Sequence, residues 1–192
     1  MNPRICALIT AAGQGKRFGG PKVTAVHEGI PFHTMISAVL KGLDLPSVWV
    51  FSSIETANIV FSTHNMHRDA VYTLNPIPGS DMFSSIIAGM SMVPWNTTHV
   101  LLWPVDFPFV SIGDVTTVIT SPFEDFDFAA PISGNRHGHP VLFHRRILTR
   151  AVSTVQTDGL RGFLNSHFYR RLSVPTADSV TRNINFSKDL KL

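Results

Sequence analysis

The sequence is poor in charged residues and in cysteine, and each scarcity excludes a class of protein. Only 15% of its 192 residues are charged and 44% are hydrophobic, whereas an average globular domain has about 25% charged residues. This composition excludes an intrinsically disordered chain. The single cysteine, Cys6, permits neither an internal disulfide nor a cysteine-based zinc site, and it favours a reducing, cytoplasmic location. Uninterrupted apolar runs of about 18 residues are absent, so we expect no membrane partner.

The positive charge is small and is not arranged as in nucleic-acid-binding proteins. The formal net charge is +3. The lysines and arginines form no long run, and no RNP, zinc-finger or basic-helix pattern is present. We therefore expect no nucleic acid partner. A few cations placed around a phosphate-bearing ligand would explain the same charge balance.

Short apolar runs alternate with segments of helical periodicity along the whole chain. The apolar run at residues 5–10 ends at a glycine-rich segment and predicts a fully buried strand. Ser111 and Asp114 form a capping-box signature for the start of a helix. Alternating strands and helices predict an α/β fold of three layers around a mainly parallel sheet. Since no repeat or linker divides the chain, residues 1–192 are expected to form one domain. Strands are predicted at 5–10, 48–52, 70–74, 99–105, 126–130, 140–143 and 172–175, and helices at 31–43, 56–61, 82–93, from 111 onward and at 158–166.

The segment after the first predicted strand has the composition of a phosphate-binding loop. Residues 11–22 contain four glycines and three cations, and ligands of open α/β sheets bind beyond the carboxyl ends of strands. Glycines let backbone N–H groups approach phosphate oxygens, which Lys16, Arg17 and Lys22 can neutralise. The segment matches neither the Walker A pattern nor the dinucleotide fingerprint. A solvated surface turn is the alternative interpretation.

A carboxylate ends the fourth predicted strand, at the same edge of the sheet as this loop. Asp106 follows an apolar run at residues 100–105. An aspartate at a strand end is often only a turn former. A carboxylate beside a phosphate group, however, needs a cation between them, and Mg²⁺ prefers oxygen ligands. Asp106 is therefore predicted to be a metal ligand.

Six segments of the chain follow one another in the order found in a known enzyme family. Residues 11–22 read Ala-Ala-Gly-x-Gly-x-Arg-Phe-Gly-Gly-x-Lys, and residues 105–108 read Val-Asp-Phe-Pro. The other four are residues 75–86, 138–143, 158–162 and 183–190. Together they resemble the MobA-like nucleotidyltransferases, with the molybdenum cofactor cytidylyltransferases as the most similar branch.

This resemblance implies a fold, an activity and partners. The fold would be a Rossmann-like, three-layer nucleotidyltransferase fold with a mainly parallel but mixed sheet. The activity would be Mg²⁺-dependent transfer of a nucleoside monophosphate from an NTP, with release of pyrophosphate. The implied partners are CTP in preference to GTP, molybdopterin or the molybdenum cofactor as a pterin-type phosphorylated acceptor, and a molybdoenzyme.

The resemblance also assigns roles by position. The implied catalytic residues are Arg17, Lys22 and Asp106. The implied nucleotide-binding residues are Ala11, Ala12, Gly13, Gly15, Lys16, Arg17, Lys22, Ser84 and Ser85. The implied acceptor-binding residues are His139, Pro140, Asp158 and Arg161. The implied metal ligands are Asp106, Asn183 and Asn185.

Departures from the family pattern leave two alternatives open. Asn183 and Asn185 stand where the family usually has carboxylates, and Asp81 and Phe83 replace small or polar residues. One alternative is the same chemistry on a sugar phosphate or another small phosphorylated acceptor. The other is a non-catalytic nucleotide-binding accessory protein.

Overall fold

The computed structural model describes residues 3–13, 15, 18–63, 65–75, 77, 81–154, 159–166 and 169–191. The strands are β1 (Ile5–Ala11), β2 (Val26–His27), β3 (Ile30–Pro31), β4 (Ser47–Phe51), β5 (Ala70–Leu74), β6 (His99–Pro104), β7 (Phe128–Ser133), β8 (Arg136–His137), β9 (Val141–His144) and β10 (Arg171–Pro175). The α-helices are α1 (Phe32–Gly42), α2 (Ile54–Phe61), α3 (Met82–Met90), α4 (Ile112–Ile119), α5 (Arg145–Ser153) and α6 (Gly159–Ser166). Three 3₁₀-helices are η1 (Lys22–Thr24), η2 (Asp178–Thr181) and η3 (Ser187–Lys191).

A mixed sheet forms the middle layer, in the order β10-β7-β9-β6-β1-β4-β5, with β8 beside β7. The central strand β1 pairs in parallel with β4 and β6, and β5 and β10 extend the sheet in parallel at its two ends. Strand β9 is antiparallel to both β6 and β7, so β6 and β7 run in the same direction. The carboxyl ends of β1, β4, β5, β6, β7 and β10 therefore lie at one edge. The predicted mainly parallel, Rossmann-like α/β fold is confirmed.

Helices cover both faces of this sheet, which explains why the central strands are continuously apolar. Along β1, Ala7 and Ile9 pack with the apolar side chains of α1, α2 and α4. Cys6 and Leu8 point to the opposite face and pack with those of α3, α5 and α6. Burial raises the pKa of the Cys6 thiol to about 12. This side chain is an inert part of the core.

One helix start was predicted from its capping signal, and one helix without a side-chain cap was not predicted. Asp114 Oδ2 accepts from the Ser111 backbone N–H at 3.0 Å, and Ser111 Oγ accepts from the Asp114 N–H at 3.1 Å, so the predicted capping box is confirmed. Helix α5 was not predicted. It begins directly after β9 with two arginines and has no side-chain cap. Its burial of Ile147 and Leu148 against the sheet stabilises it instead.

None of the α-helices in the described parts of the chain is long and apolar enough to cross a bilayer.

Candidate functional site

The segments that leave β1 and β6 begin side by side at the carboxyl edge of the sheet. The Val105 N–H donates to the Thr10 carbonyl at 3.2 Å. Ala11 and Ala12 are buried at the end of β1, whereas Gly13 is exposed. The predicted nucleotide loop and Asp106 therefore start from adjacent points of the scaffold.

The glycine loop folds tightly on itself around Gly15. The Gly15 carbonyl accepts from the N–H groups of Phe18, Gly19 and Gly20 at 2.7, 2.9 and 3.3 Å. Gly15 has a φ of +59°, and a Cβ at this position would collide with the Gly20 carbonyl oxygen. Only glycine fits both constraints. The predicted residues Lys16 and Arg17 lie outside the described residues.

Lys22 lies at the centre of a polar cluster contributed by three distant parts of the chain. Its Nζ lies 3.0 Å from Asp106 Oδ2, and the two side chains are only 14% and 30% exposed. The same Nζ donates to Asn185 Oδ1 at 3.1 Å. These are charge-assisted contacts, which are shorter and stronger than neutral hydrogen bonds. The structure thus brings together three of the predicted site residues.

The carboxy-terminal segment is held in place at this cluster by its own hydrogen bonds. The Ile184 N–H donates to the Asp106 carbonyl at 2.9 Å. Asp189 Oδ2 accepts from the backbone N–H groups of Asn185 and Phe186 at 2.8 Å each, and these bonds hold the pKa of Asp189 below its ordinary value. Asp189 therefore positions Asn185. The sequence alone did not assign this role, although Asp189 lies within residues 183–190, one of the six family-like segments.

The same arrangement separates the two predicted asparagine ligands. Asn185 reaches Lys22, but Asn183 lies on the other side of the buried Ile184 and is exposed. Its backbone N–H donates to the Thr181 carbonyl at 3.1 Å. Within the described residues its side chain makes no hydrogen bond to Lys22 or Asp106. The prediction of Asn183 as a ligand therefore has no matching contact in this arrangement.

The oxygen atoms around Lys22 fit a hard divalent cation. Asp106 Oδ2 and Asn185 Oδ1 converge on one point, which the Lys22 ammonium occupies. Mg²⁺ is usually held by one or two protein oxygens and completes its coordination with water and substrate phosphates. The described residues contain no cluster of three or more His, Cys, Asp or Glu side chains that could hold a metal without such help. A cation here and Lys22 would compete for the same two oxygens.

The predicted serine pair lies at the start of α3, beside the end of β5. Asn75 Nδ2 donates to Ser84 Oγ at 2.8 Å and to Ser85 Oγ at 3.0 Å. Asp81 caps the helix by accepting from the Ser84 N–H at 2.9 Å. Ser85 is buried and Ser84 is half-buried, so Ser84 is the more accessible of the two to a ligand. Asn75 organises both hydroxyls, a role that its place before the serine motif could have suggested.

The structure places the predicted acceptor-binding residues in two separate regions. The His139 N–H donates to the Val180 carbonyl at 2.9 Å, and its ring centroid lies 4.7 Å from that of Phe107. Burial lowers the pKa of His139 to about 4, so the side chain is neutral at pH 7. Pro140, its neighbour, is buried.

Arg161, by contrast, is exposed on α6, whose core residues pack with α3 on the opposite face of the sheet. Asp158 lies outside the described residues. Arg161 lies apart from the His139 region because α6 packs on this face of the sheet. The spacing of the motifs along the chain does not predict on which face a helix packs.

A cleft that the sequence did not predict opens at the same edge, beyond the ends of β7 and β10. It has a volume of about 660 Å³. The Arg182 guanidinium lies over the Phe109 ring, 4.2 Å from its centroid. The signal available in the sequence was closeness to the family-like segments. Phe109 lies three residues after Asp106, and Arg182 directly precedes residues 183–190. The lining residues are Phe109, Ser133, Arg136, Asp178, Ser179, Thr181 and Arg182.

Comparison with known proteins agrees with this architecture. The pattern of the MobA-like NTP transferase domain matches residues 7–172, which confirms the resemblance seen in the sequence. The search of curated proteins gave no significant match.

Several solved structures share the fold. A nucleotidyl transferase from Methanothermobacter thermautotroptrophicus has a TM-score of 0.75 at 17% identity, covering 96% of this chain and 93% of that one. The 4-diphosphocytidyl-2C-methyl-D-erythritol synthase from Anaerococcus prevotii has a TM-score of 0.75 at 13% identity, covering 100% and 96%. Rv0371c from Mycobacterium tuberculosis, in complex with manganese, has a TM-score of 0.65 at 16% identity, covering 92% and 91%. At these low sequence identities, the structural similarity shows a shared fold and nothing more about function.

Proposed function

We propose that this chain, which belongs to the MobA-like NTP transferase domain family and is thereby a nucleotidyltransferase, moves a nucleoside monophosphate from an NTP to the phosphate of a small acceptor. Pyrophosphate leaves in this reaction. The observation that carries the proposal is the cluster of Lys22, Asp106 and Asn185 beside the glycine loop. This cluster of one ammonium group and two oxygen-bearing side chains lies at the carboxyl edge of the sheet, and open α/β sheets generally bind ligands at that edge.

The chemistry requires positioning and charge stabilisation more than a protein nucleophile. An acceptor oxygen attacks the α-phosphorus in line with the departing pyrophosphate. In this proposal Lys22 offsets the negative charge of the phosphates. Backbone N–H groups of the glycine loop other than those of Phe18, Gly19 and Gly20, which the Gly15 carbonyl occupies, donate to the phosphate oxygens. An acceptor phosphate is already ionised at neutral pH.

We propose that Asp106 and Asn185 hold a divalent cation, with Mg²⁺ as the first choice. When bound, such a cation supplies Lewis-acid stabilisation of phosphate oxygens. Lys22 must then move away from Asp106 and towards the phosphates. The manganese complex of the Mycobacterium tuberculosis protein supports a divalent cation in this fold. Lys16 and Arg17 remain proposed phosphate ligands. The other proposed nucleotide contacts are Ala11, Ala12, Gly13, Gly15, Ser84 and Ser85.

The identity of the two substrates rests on the resemblance. CTP is the proposed donor, and molybdopterin or the molybdenum cofactor is the first proposed acceptor, with a molybdoenzyme as the proposed recipient of the product. A sugar phosphate or another small phosphorylated acceptor is the alternative, because the glycine loop and Asp106 would serve either. A cytoplasmic location and a single domain over residues 1–192 also remain proposals.

A second function is a non-catalytic nucleotide-binding accessory protein. The observation in its favour is that a neutral amide, Asn185, replaces a carboxylate beside Asp106. The site therefore has less negative charge to bind a cation, and Lys22 already contacts both oxygens. Such a protein would bind an NTP without turning it over.

The deciding experiment measures pyrophosphate release with each of the four NTPs, in Mg²⁺ or Mn²⁺, with molybdopterin and with a panel of sugar phosphates. We expect release with one NTP and one acceptor class. The Asp106→Asn variant is expected to lower the rate by at least about 100-fold.

The matched control is Asp125→Asn, which removes an exposed carboxylate outside the site. Release at the wild-type rate in the Asp106→Asn variant would contradict the metal assignment. Tight NTP binding without release under any condition would favour the accessory protein.

A further inference from the structure

The carboxylate of Asp189 lies one hydrogen bond away from the cluster of Lys22, Asp106 and Asn185. Its Oδ2 accepts from the Asn185 N–H and from the Phe186 N–H at 2.8 Å each. Its own backbone N–H donates to the Phe186 carbonyl at 3.0 Å. The turn that carries Asn185 is therefore closed by the side chain and by the backbone of the same residue, and the two side-chain bonds are charge-assisted.

This turn determines where the backbone of Asn185 lies relative to Asp106. On one side of Asn185, the buried Ile184 donates its N–H to the Asp106 carbonyl at 2.9 Å. On the other side, Asp189 holds the Asn185 N–H. The Asn185 residue itself is exposed, although its Oδ1 accepts from Lys22 Nζ at 3.1 Å. An exposed side chain keeps one position only at an entropic cost, which a fixed backbone lowers.

Asp189 also adds a negative charge next to a pair of oxygen ligands that has only one. Of the two proposed cation ligands, Asp106 is charged and Asn185 is neutral. The Asn185 side chain and one hydrogen bond at each of its ends separate the Asp189 carboxylate from Lys22 Nζ. Since Lys22 occupies the proposed cation position, a cation bound there is attracted by the Asp189 charge as well.

Lys188 is the positive charge next to Asp189 in the chain, and it opposes this effect. Its Nζ lies 5.2 Å from the centroid of the Phe186 ring, and the residue is exposed, whereas Asp189 is half-buried. Solvent and salt screen an exposed charge more strongly than a half-buried one. We therefore expect the contribution of Asp189 to exceed that of Lys188 at the proposed cation site.

From these contacts we infer that Asp189 is a positioning residue of the proposed cation site. It acts through Asn185, which it orients towards Asp106, and it supplies the negative charge that is lost where asparagine stands in place of a carboxylate. The inference rests on the proposed function for the assignment of Asp106 and Asn185 as cation ligands. It explains how a site with one charged ligand retains affinity for a divalent cation.

The test measures the dissociation constant of Mn²⁺ by electron paramagnetic resonance on the full chain, without an NTP. Asp189→Asn keeps a side-chain oxygen that can accept from the turn but removes the charge, whereas Asp189→Ala removes both. We expect the dissociation constant to rise by at least about threefold in Asp189→Asn and by at least about tenfold in Asp189→Ala. The two variants thus separate the contribution of the charge from that of the orientation.

A double-mutant cycle tests whether Asp189 acts through Asn185. The effect of Asp189→Ala is measured again in a chain that already carries Asn185→Ala. Without the Asn185 side chain, orientation no longer matters and only the charge effect remains. We expect the loss of Mn²⁺ affinity to shrink from at least about tenfold to about threefold, which is a coupling that a general loss of stability would not produce.

The matched control is Asp125→Asn, which removes an exposed carboxylate far from the turn in sequence and is expected to keep the wild-type Mn²⁺ affinity. The thermal midpoint of each variant is measured to show that the chain is folded at the temperature of the titration. Asp189→Asn is the conservative variant for the case that Asp189→Ala does not fold.

Unchanged Mn²⁺ affinity in Asp189→Asn and Asp189→Ala overturns the inference, and so does the absence of Mn²⁺ binding by the wild type. An equal loss of affinity with and without the Asn185 side chain also overturns it. Pyrophosphate release is measured separately. The expected shifts in Mn²⁺ affinity in a protein that never releases pyrophosphate reject the proposed function but retain the role of Asp189, whereas release with unchanged Mn²⁺ affinity rejects that role alone.

Discussion

Lys22 and Asp106 form an ion pair at the carboxyl edge of the sheet, with Lys22 Nζ 3.0 Å from Asp106 Oδ2. The same nitrogen donates to Asn185, 163 positions further along the chain. The pair is mostly shielded from solvent, so its electrostatic interaction is stronger than that of an exposed pair. Lys22 therefore occupies the position that a cation bound to these oxygens would take.

Removing the Lys22 charge is expected to strengthen metal binding and weaken catalysis. In Lys22→Gln, Mn²⁺ no longer competes with an ammonium for Asp106, and we expect its affinity to rise by at least about threefold. Pyrophosphate release should fall by at least about tenfold, because phosphate charge is no longer offset. Electron paramagnetic resonance of Mn²⁺ measures the first effect. The control is Lys41→Gln, which removes the charge of an exposed lysine of α1. An unchanged Mn²⁺ affinity in Lys22→Gln would contradict the proposed competition between Lys22 and the metal ion for Asp106.

Replacing Gly15 by alanine is expected to disrupt the loop and leave the core intact. The positive φ and the collision with Gly20 strain the substituted loop by about 1–2 kcal/mol or more. We expect NTP affinity to fall by at least about tenfold, with little change in the thermal midpoint. Fluorescence titration with a labelled NTP measures the affinity.

The control for this prediction is Gly113→Ala. Gly113 lies in α4, where an added Cβ meets only the Ser111 hydroxyl at an ordinary distance of 3.7 Å. We expect this variant to bind NTP normally and to be as stable as the wild type, or more so by up to about 1 kcal/mol. Normal NTP binding by Gly15→Ala would show that the loop tolerates another conformation.

The buried carboxylate of Asp114 is expected to make stability fall in acid. Burial alone would raise the pKa of this group, but hydrogen bonds from Ser111, Ser179 and the Ala177 backbone outweigh it and hold the pKa below 3.8. The unfolded chain therefore binds a proton at a higher pH than the native state does. The stabilisation is complete above the unfolded pKa and is lost as the pH falls through the lower, native pKa.

Urea denaturation of Asp114→Asn checks this prediction. At neutral pH we expect a loss of about 1–3 kcal/mol, since hydrogen bonds to a charged group are removed. Below pH 3.8 the difference from the wild type should shrink. If the difference in unfolding free energy between the variant and the wild type stays constant with pH, the lowered pKa of Asp114 does not contribute to the acid sensitivity.

A second acid-sensitive contribution is expected from His99. Burial, reinforced by the positive charges of His144 and Arg146, lowers the pKa of His99 to about 4. The unfolded state binds this proton near the ordinary value of 6.5. Between these two values the unfolded state holds more protons, so stability is lost as the pH falls from 6.5 to 4.

In His99→Gln this part of the pH dependence should disappear, which reduces the loss of stability over that range by about 1–3 kcal/mol. Urea denaturation midpoints at a series of pH values measure it. The comparison at pH 7–8, where the group stays neutral in both states, provides the internal control. An unchanged slope in the variant would refute the assignment.

Features that depend on local sequence were predictable. The apolar run of β1 and the Ser111–Asp114 capping box appear where predicted, because periodicity and side-chain capping act within a few residues. The glycine loop and Asp106 were also recognisable, since each directly follows a buried strand. Helix α5 was missed, because its stability comes from packing against the sheet and not from a local cap.

The sequence by itself determined the α/β class, the family and most of the residues proposed for the reaction centre. Only the tertiary structure decided that Asn185, and not Asn183, reaches Lys22, because the hydrogen bonds of Asp189 and the burial of Ile184 set the direction of that segment. Likewise, only the tertiary structure shows that Arg161 and His139 lie in separate regions and that Arg136 and Arg182 line one cleft. The physical reason is the same in each case. These relationships join segments far apart in the chain, and their geometry is set by how helices and loops pack on the sheet, which no short-range pattern records.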